Sequence, residues 1–147
     1  MIVQPYVHGE AASVSVVSDG RRAIALAVNA QAVRPGIPFV YDGGETPLVH
    51  PMAPRAAERA IAACEAIPAL VGSIGVDVVL TPTDAVVIEI NPRLTTAYIG
   101  VRRALDVNPA ALALAACTGR WTTVPPAAVR SVRFTAGGIV ESAEAVA

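Results

Sequence analysis

One stretch of the sequence decides how the chain folds: Gly75-Val-Asp-Val-Val-Leu-Thr-Pro-Thr-Asp-Ala-Val-Val-Ile-Glu-Ile-Asn-Pro-Arg93. Apolar residues alternate along both halves of this stretch, and the residues Thr81-Pro82-Thr83-Asp84 between the halves are typical of a turn. The pattern therefore predicts two antiparallel strands joined as a β-hairpin.

Regular alternation along each strand divides the side chains of the hairpin between two faces. One face receives the apolar sets Val76, Val78 and Leu80 from the first strand and Val86, Ile88 and Ile90 from the second. The other face receives Asp77 and Val79 from the first strand and Val87, Glu89 and Asn91 from the second. Closing the hairpin is thus expected to bring Asp77 beside Glu89 and Asn91.

Two carboxylates and an amide oxygen on one patch are hard oxygen ligands of the kind that suits Mg²⁺, which usually shares its coordination shell with substrate phosphates. Arg93 follows directly and offers a planar guanidinium for phosphate oxygens. The alternative is that these charged residues form only the solvated outer face of an amphipathic sheet.

Composition excludes several classes of function. The chain has 147 residues, 54% of them hydrophobic, a net charge of −1 and a pI near 6.1, which predicts a globular domain without a basic surface for nucleic acid or an anionic membrane. No apolar run approaches the roughly 20 residues of a membrane span, and the N-terminus lacks the pattern of a secretory signal, so a cytoplasmic protein is expected.

Few residues outside the hairpin suggest other chemistry. Cys64 and Cys117 lie in alanine-rich helical patterns and are expected to be buried and unreactive, and the two histidines have no zinc-ligand spacing. All eleven basic residues are arginines, which excludes a lysine-dependent mechanism on this chain.

The rest of the sequence predicts an α+β fold, with a largely antiparallel β-sheet and helices packed on one face. A hairpin is expected around Asp19-Gly20, a strand over 37–41, and a loop over 42–47 where Gly43-Gly44 could approach a ligand. Helices are predicted over 54–67 and 109–118, the second in the core, and a last strand over 131–135.

Several motifs together resemble the C-terminal half of the ATP-grasp superfamily: Gln4-Pro-Tyr-Val7, Gly9-Glu10 and the set Asp77…Glu89-Ile-Asn91-Pro-Arg93. The resemblance runs from Gln4 to about Gly119, which implies a lobe over 1–119 and a tail over 120–147 that could add a strand to it. It implies ATP and Mg²⁺ as cofactors, with Mn²⁺ as the alternative metal. Adenine would be held by main-chain groups of the segment Gln4, Pro5, Tyr6 and Val7, ribose by Glu10, and metal by Asp77, Glu89 and Asn91. An edge strand is the structural alternative for the segment 4–7.

Three shorter strings are similar to the ATP-grasp subgroup that includes tyramine-glutamate ligase: Gly9-Glu-Ala-Ala-Ser-Val-Ser, Asn29-Ala-Gln31 and Ile90-Asn-Pro-Arg-Leu-Thr-Thr-Ala-Tyr98. This similarity implies that Asn29 and Gln31 point toward the phosphates or the acyl substrate, with ordinary strand-end hydrogen bonding as the alternative. It also implies that Thr95, Thr96 and Tyr98 line the acceptor pocket.

The resemblance implies one lobe of a carboxylate-amine ligase, which uses ATP to activate a carboxylate as an acylphosphate, with Arg93 offsetting charge on the transferring group. Because the chain starts at the adenine segment and has no lysine, an N-terminal lobe or a partner subunit is expected to supply the other half of the ATP site. Two alternatives stay open: a catalytically silent binding or assembly module, and an unrelated α+β domain with an accidental acidic hairpin.

Overall fold

The computed structural model describes residues 4–120 and 125–145. Within these ranges the chain forms seven strands: β1 Glu10–Asp19, β2 Ala23–Arg34, β3 Val40–Thr46, β4 Val71–Leu80, β5 Ala85–Asn91, β6 Arg130–Thr135 and β7 Val140–Ala145. It also forms three helices in the described residues: α1 Ala53–Glu65, α2 Ala97–Ala104 and α3 Pro109–Cys117. None of these helices has the length and hydropathy needed to cross a membrane.

The strands pair into one sheet in the order β5-β4-β1-β2-β3-β6-β7, and every pairing is antiparallel. The predicted α+β class with a largely antiparallel sheet is therefore confirmed. The segment after Gly119 contributes β6 and β7 to the same sheet, since β6 pairs with β3 from Val132 to Thr135.

The helices cover both faces of the sheet, whereas the sequence predicted that they would pack on one face. One core cluster joins α1, through Ala56, Ala60 and Cys64, to the inward residues of β1 and β4. A second cluster joins α2 and α3 to Val17 of β1 and to residues of β2. Because Val16 belongs to the first cluster and Val17 to the second, the two clusters lie on opposite faces. We call these the α1 face and the α2 face.

The predicted β1–β2 hairpin is present and its turn has a clear local cause. Asp19 Oδ1 accepts hydrogen bonds from the backbone N–H groups of Arg21 and Arg22, at 2.9 and 2.8 Å. Gly20 has a φ of 89°, a left-handed conformation that glycine adopts without a steric penalty. The predicted helices also begin as expected, with proline in the first turn of α1 and α3.

The structure corrects four expectations. The strand predicted over 37–41 is β3, which starts at Val40 and includes the glycine pair that was predicted to lie in a loop. Helix α2 was not predicted. Helix α3 is a surface helix rather than a core one, since Leu114 is 63% exposed. Cys117 at its end is exposed and not buried, whereas Cys64 is buried and its burial raises the pKa of the thiol to about 11.

Candidate functional site

The β4–β5 hairpin brings the three predicted metal ligands together on the α2 face. Asp77 lies directly opposite Glu89, and Gly75 lies opposite Asn91. The turn between the strands is closed by Thr81, whose N–H donates to the carbonyl of Asp84 at 2.9 Å. The hairpin and the juxtaposition of Asp77, Glu89 and Asn91 are therefore as the sequence predicts.

A β-bulge in β5 changes the predicted faces of its apolar residues. The pairs Asp77–Glu89 and Val78–Val87 are consecutive on β4, so Ile88 is the extra residue on β5. Ile88 is 43% exposed, and Val87 packs with Ile90 against the core on the α1 face. The expectation that Val86, Ile88 and Ile90 share the core face is wrong, because it assumed an unbroken alternation. The bulge keeps Val87 on the core face while Glu89 faces the other way.

A chain of hydrogen bonds runs across the site from β2 to the loop after β5. Gln31 Nε2 donates to Asp77 Oδ1 at 2.8 Å, and Asn91 Nδ2 donates to Asp77 Oδ2 at 3.1 Å. Arg93 Nη2 in turn donates to Asn91 Oδ1 at 3.2 Å. An ionised carboxylate only accepts hydrogen bonds, so the Asn91 amide here has its nitrogen toward Asp77 and its oxygen toward Arg93. As a metal ligand, Asn91 would turn its oxygen from Arg93 to the cation.

The electrostatics of Asp77 favour a bound cation. Burial raises the pKa of the Asp77 carboxyl, and the charge of Glu89 raises it further, while the hydrogen bonds from Gln31 and Asn91 and the charge of Arg93 lower it. Among the ion pairs of the described residues, none includes Asp77 or Glu89. A divalent cation between the two carboxylates would offset both the burial of charge and the repulsion.

The donor set fits Mg²⁺ or Mn²⁺ better than a softer metal. In the described residues no group of three histidine, cysteine or acidic side chains converges, so the candidate set is two carboxylates and the Asn91 amide oxygen. Such a set leaves room for water and phosphate oxygens, as Mg²⁺ sites in nucleotide-binding proteins do. Asp77, Glu89 and Asn91 are the residues that would hold it.

A buried polar row continues from Asp77 toward the centre of the sheet. Ser13 on β1 lies opposite Asp77 on one side and opposite Asn29 on the other. Asn29 is 1% exposed, and its Nδ2 donates to Ser13 Oγ at 3.3 Å and to Ser15 Oγ at 3.1 Å. Its Oδ1 has no hydrogen-bond partner among the described residues. The structure thus places Asn29 beneath the predicted site rather than at its surface.

The loop after β5 lies close against the sheet beside the metal-ligand set. A Cβ on Gly75 would come within 2.4 Å of the Thr95 side chain, so glycine is needed for this approach. A small cavity next to the set has Arg93, Thr95 and Tyr98 in its lining, together with Ser15 and Ser73. Two of the three residues expected at an acceptor pocket, Thr95 and Tyr98, therefore line one cavity with Arg93.

The predicted adenine segment lies outside the strands, before β1. Gln4, Pro5 and Tyr6 are exposed and Val7 is half-buried, and the Tyr6 ring packs edge-on against His8 with the centroids 4.7 Å apart. A Cβ on Gly9 would come within 2.3 Å of the Leu80 carbonyl oxygen. Glycine there lets the segment pass the end of β4.

Glu10 is not brought to the metal-ligand set. It pairs with Leu80, a core residue of the α1 face, so its side chain starts from the face opposite to Asp77. Its carboxylate lies 3.8 Å from Nε2 of His50, in the segment that leads into α1. The expected ribose contact of Glu10 has no support from this geometry.

Sequence reasoning missed one neighbour of the site, Tyr41, and did not foresee the partner of another residue, Gln31. Tyr41 on β3 lies near Asp77. Burial is the main cause that raises the pKa of the Tyr41 hydroxyl, and the charge of Asp77 raises it further. Gln31 was expected to face phosphates, and its contact with Asp77 joins residues 46 positions apart. Neither the electrostatic influence of Asp77 on Tyr41 nor the Gln31–Asp77 hydrogen bond has a local sequence signal, because both depend on strand order in the finished sheet.

Comparison with known proteins gives consistent matches. The sequence model of a family described as the ATP-grasp domain matches residues 1–97. The chain is 33% identical over 102 residues to tyramine–L-glutamate ligase of Methanocaldococcus jannaschii, and 36% identical over 101 residues to that of Methanocaldococcus fervens. Each alignment covers 69% of this chain, and 32% and 33% of the two ligases respectively. The chain thus spans about one third of their length.

Two solved structures share the fold. A crystal structure of an ATP-grasp superfamily protein from Archaeoglobus fulgidus superposes with a TM-score of 0.68 at 25% identity, covering 97% of this chain and 47% of that one. L-amino acid ligase from Bacillus licheniformis superposes with a TM-score of 0.74 at 16% identity, covering 87% of this chain and 35% of that one.

Proposed function

Because the chain belongs to the ATP-grasp family, we propose that it is the ATP- and Mg²⁺-binding lobe of an ATP-dependent carboxylate-amine ligase. Family membership removes the alternative of an unrelated domain with an accidental acidic hairpin. The observation that carries the proposal is the placement of Asp77, Glu89 and Asn91 on one face of the hairpin, with neither carboxylate ion-paired among the described residues.

The proposed reaction has two steps. A carboxylate oxygen of the first substrate attacks the γ-phosphorus of ATP, ADP leaves, and an acylphosphate forms. An amine nitrogen then attacks the acyl carbon, phosphate leaves, the amine releases a proton, and an amide bond is made. When bound, the metal would offset charge on the phosphates.

The chain's own residues would position the reacting groups. Asp77, Glu89 and Asn91 would hold the metal, and Arg93 at the adjoining cavity would bind an anionic oxygen of the phosphate or of the carboxylate substrate. The main chain of the exposed segment 4–7 would hold adenine. The ligases named above act on an amine and an amino acid, which supports small molecules of these classes as the substrates.

Phosphoryl transfer depends on contacts to the phosphates from several sides. This chain has no lysine and spans about a third of the length of the related ligases, so we propose that residues outside it, on an N-terminal lobe or a partner subunit, complete the site. The silent binding or assembly module is the second reading, and the absence of lysine is the observation that favours it.

The test joins the chain to the preceding region of a related ligase and measures amine-dependent release of ADP. We expect the fused protein to be active, and Glu89→Gln to lower kcat by more than about 100-fold, because it removes one of two carboxylates from the metal. Glu58→Gln, a change on the outer side of α1, is the matched control and should retain activity. A fused protein that binds Mg-ATP but releases no ADP would favour the silent module, and full activity of Glu89→Gln would refute the metal role.

A further inference from the structure

Gln31 reaches Asp77 over an intervening strand. β1 lies between β2 and β4 in the sheet, and strands are about 4.8 Å apart, so the two backbones are roughly 10 Å apart. The residues of β1 beneath the contact are small: Ser13 faces Asp77 directly, and Ala11 lies two positions earlier on the same face. Small side chains there let the long Gln31 side chain lie over β1 and meet the carboxylate at 2.8 Å.

Both side chains that donate hydrogen bonds to Asp77 are neutral amides. Gln31 and Asn91 each donate one amide N–H to a different oxygen of Asp77. Amide donors fix the orientation of a carboxylate without supplying a positive charge. An arginine or lysine at the same place would neutralise the carboxylate and compete with a metal ion, as the arginines around Asp84 in the turn of the same hairpin show.

We propose that Gln31 is a positioning residue that holds Asp77 for a divalent cation, and that it does not bind phosphate itself. This inference rests on the proposed metal role of Asp77. The Gln31 amide nitrogen is directed to Asp77 Oδ1, and both atoms belong to half-buried residues, so the contact is shielded from competing water. Contacts that orient a metal ligand in this way change metal affinity by about 10- to 100-fold in other proteins.

The test compares two ligands on the 147-residue chain: Mn²⁺ alone, followed by electron paramagnetic resonance, and ATP in the presence of a chelator, followed by calorimetry. Gln31→Leu removes the donor. Gln31→Asn keeps an amide but shortens the side chain by one methylene, so that it falls short of Asp77. We expect both variants to lower Mn²⁺ affinity by about 10- to 100-fold and to leave metal-free ATP affinity unchanged.

The opposite pattern, with ATP weakened and Mn²⁺ unchanged, would mean that Gln31 contacts phosphate and would overturn the inference. Wild-type Mn²⁺ affinity in Gln31→Asn would also overturn it, and this variant keeps a polar residue in place if Gln31→Leu fails to fold. Asp77→Asn serves as the reference. If Asp77→Asn abolishes Mn²⁺ binding while the Gln31 variants do not, only the inference fails. If Asp77→Asn has no effect, or the wild-type chain binds no Mn²⁺, the proposed metal site itself fails.

Discussion

Asp77 and Asp84 belong to the same hairpin, yet their surroundings make them different carboxylates. Asp77 lies within β4, half-buried, and accepts hydrogen bonds from two neutral amides. Asp84 lies in the turn and accepts from Arg55 Nε at 2.9 Å and from Arg59 Nε at 3.1 Å. Burial raises the pKa of Asp77, whereas the hydrogen bonds from Arg59 and Arg55 lower the pKa of Asp84.

The difference shows that one hairpin holds two of its carboxylates in different ways. Arg55 and Arg59 are one turn apart on α1, so their shared contact with Asp84 fixes the helix to the β4–β5 turn. The charge of Asp84 is thereby offset within the fold. The charge of Asp77 is held in place, and no arginine of the described residues forms an ion pair with it, which would suit a carboxylate that binds a metal.

The largest expected effect comes from neutralising each aspartate in turn. Asp77→Asn should weaken Mg-ADP binding by more than about 100-fold, since even contacts outside the metal shell are worth about 10- to 100-fold. It should not lower the melting temperature of the ligand-free chain at neutral pH, because it removes a half-buried charge. Calorimetry and thermal unfolding on the same samples measure the two effects.

Asp84→Asn is the matched control and should behave in the opposite way. It leaves two arginines without their carboxylate partner, so the melting temperature should fall by about 2 to 4 °C while Mg-ADP affinity is retained. If both Asp77→Asn and Asp84→Asn lose affinity for Mg-ADP, the contrast between the two residues is wrong, because the turn would then be part of the ligand site.

A smaller effect is expected in the pH dependence of stability, and its sign differs between the two residues. The pKa of Asp84 is lower in the folded chain than in the unfolded chain, where it is near 3.9. The contribution of Asp84 to stability is therefore present above the unfolded pKa and is lost as pH falls toward the folded pKa. The melting-temperature difference between wild type and Asp84→Asn should therefore be largest at neutral pH and shrink in acid.

The raised pKa of Asp77 has the opposite consequence. The folded chain favours the protonated form of Asp77, so the contribution of this residue to stability is highest at low pH and declines as pH rises through its raised folded pKa. Any rise in melting temperature caused by Asp77→Asn should thus be larger at neutral pH than in acid. Thermal unfolding from pH 3 to pH 8 tests both signs, and parallel curves for the two variants would contradict the contrast between them.

Much of the site could be predicted because it depends on short-range sequence. The turn at Thr81-Pro82-Thr83-Asp84 sets the hairpin, and the hairpin alone brings Asp77 opposite Glu89. The contact of Gln31 with Asp77 could not be predicted in this way, since it requires that β1 lie between β2 and β4. Helix α2 was missed for a related reason: it is short, has no side-chain cap, and is stabilised by contacts with distant strands.

The bulge at Ile88 marks the limit of periodicity as a guide. Residues 85–90 are nearly all apolar, so the sequence carries no polar marker of where alternation breaks. The actual faces are decided by packing, which places Val87 and Ile90, both partly buried, against the core of the α1 face and leaves Ile88 outward. The prediction placed Glu89 and Asn91 correctly because both follow the bulge on the same side of it.

Deleting Ile88 should have the smallest effect of the changes considered, although removing one residue from a strand normally turns every later side chain to the other face. Ile88 has no partner on β4, so its deletion makes Val87 and Glu89 consecutive, with the partners Val78 and Asp77 unchanged. We expect the free energy of unfolding to change by about 0.5 kcal/mol or less, a range typical of surface changes, and Mg-ADP affinity to be retained.

Deletion of Val79 from β4 is the matched control. β4 pairs with β1 without interruption from Val71 to Leu80, so removing Val79 must turn either Leu80 or the residues before it to the wrong face. This variant should lose cooperative unfolding or most of its stability, as followed by circular dichroism in urea. If both deletions are equally damaging, Ile88 is a paired residue and the register of the hairpin differs from the one described.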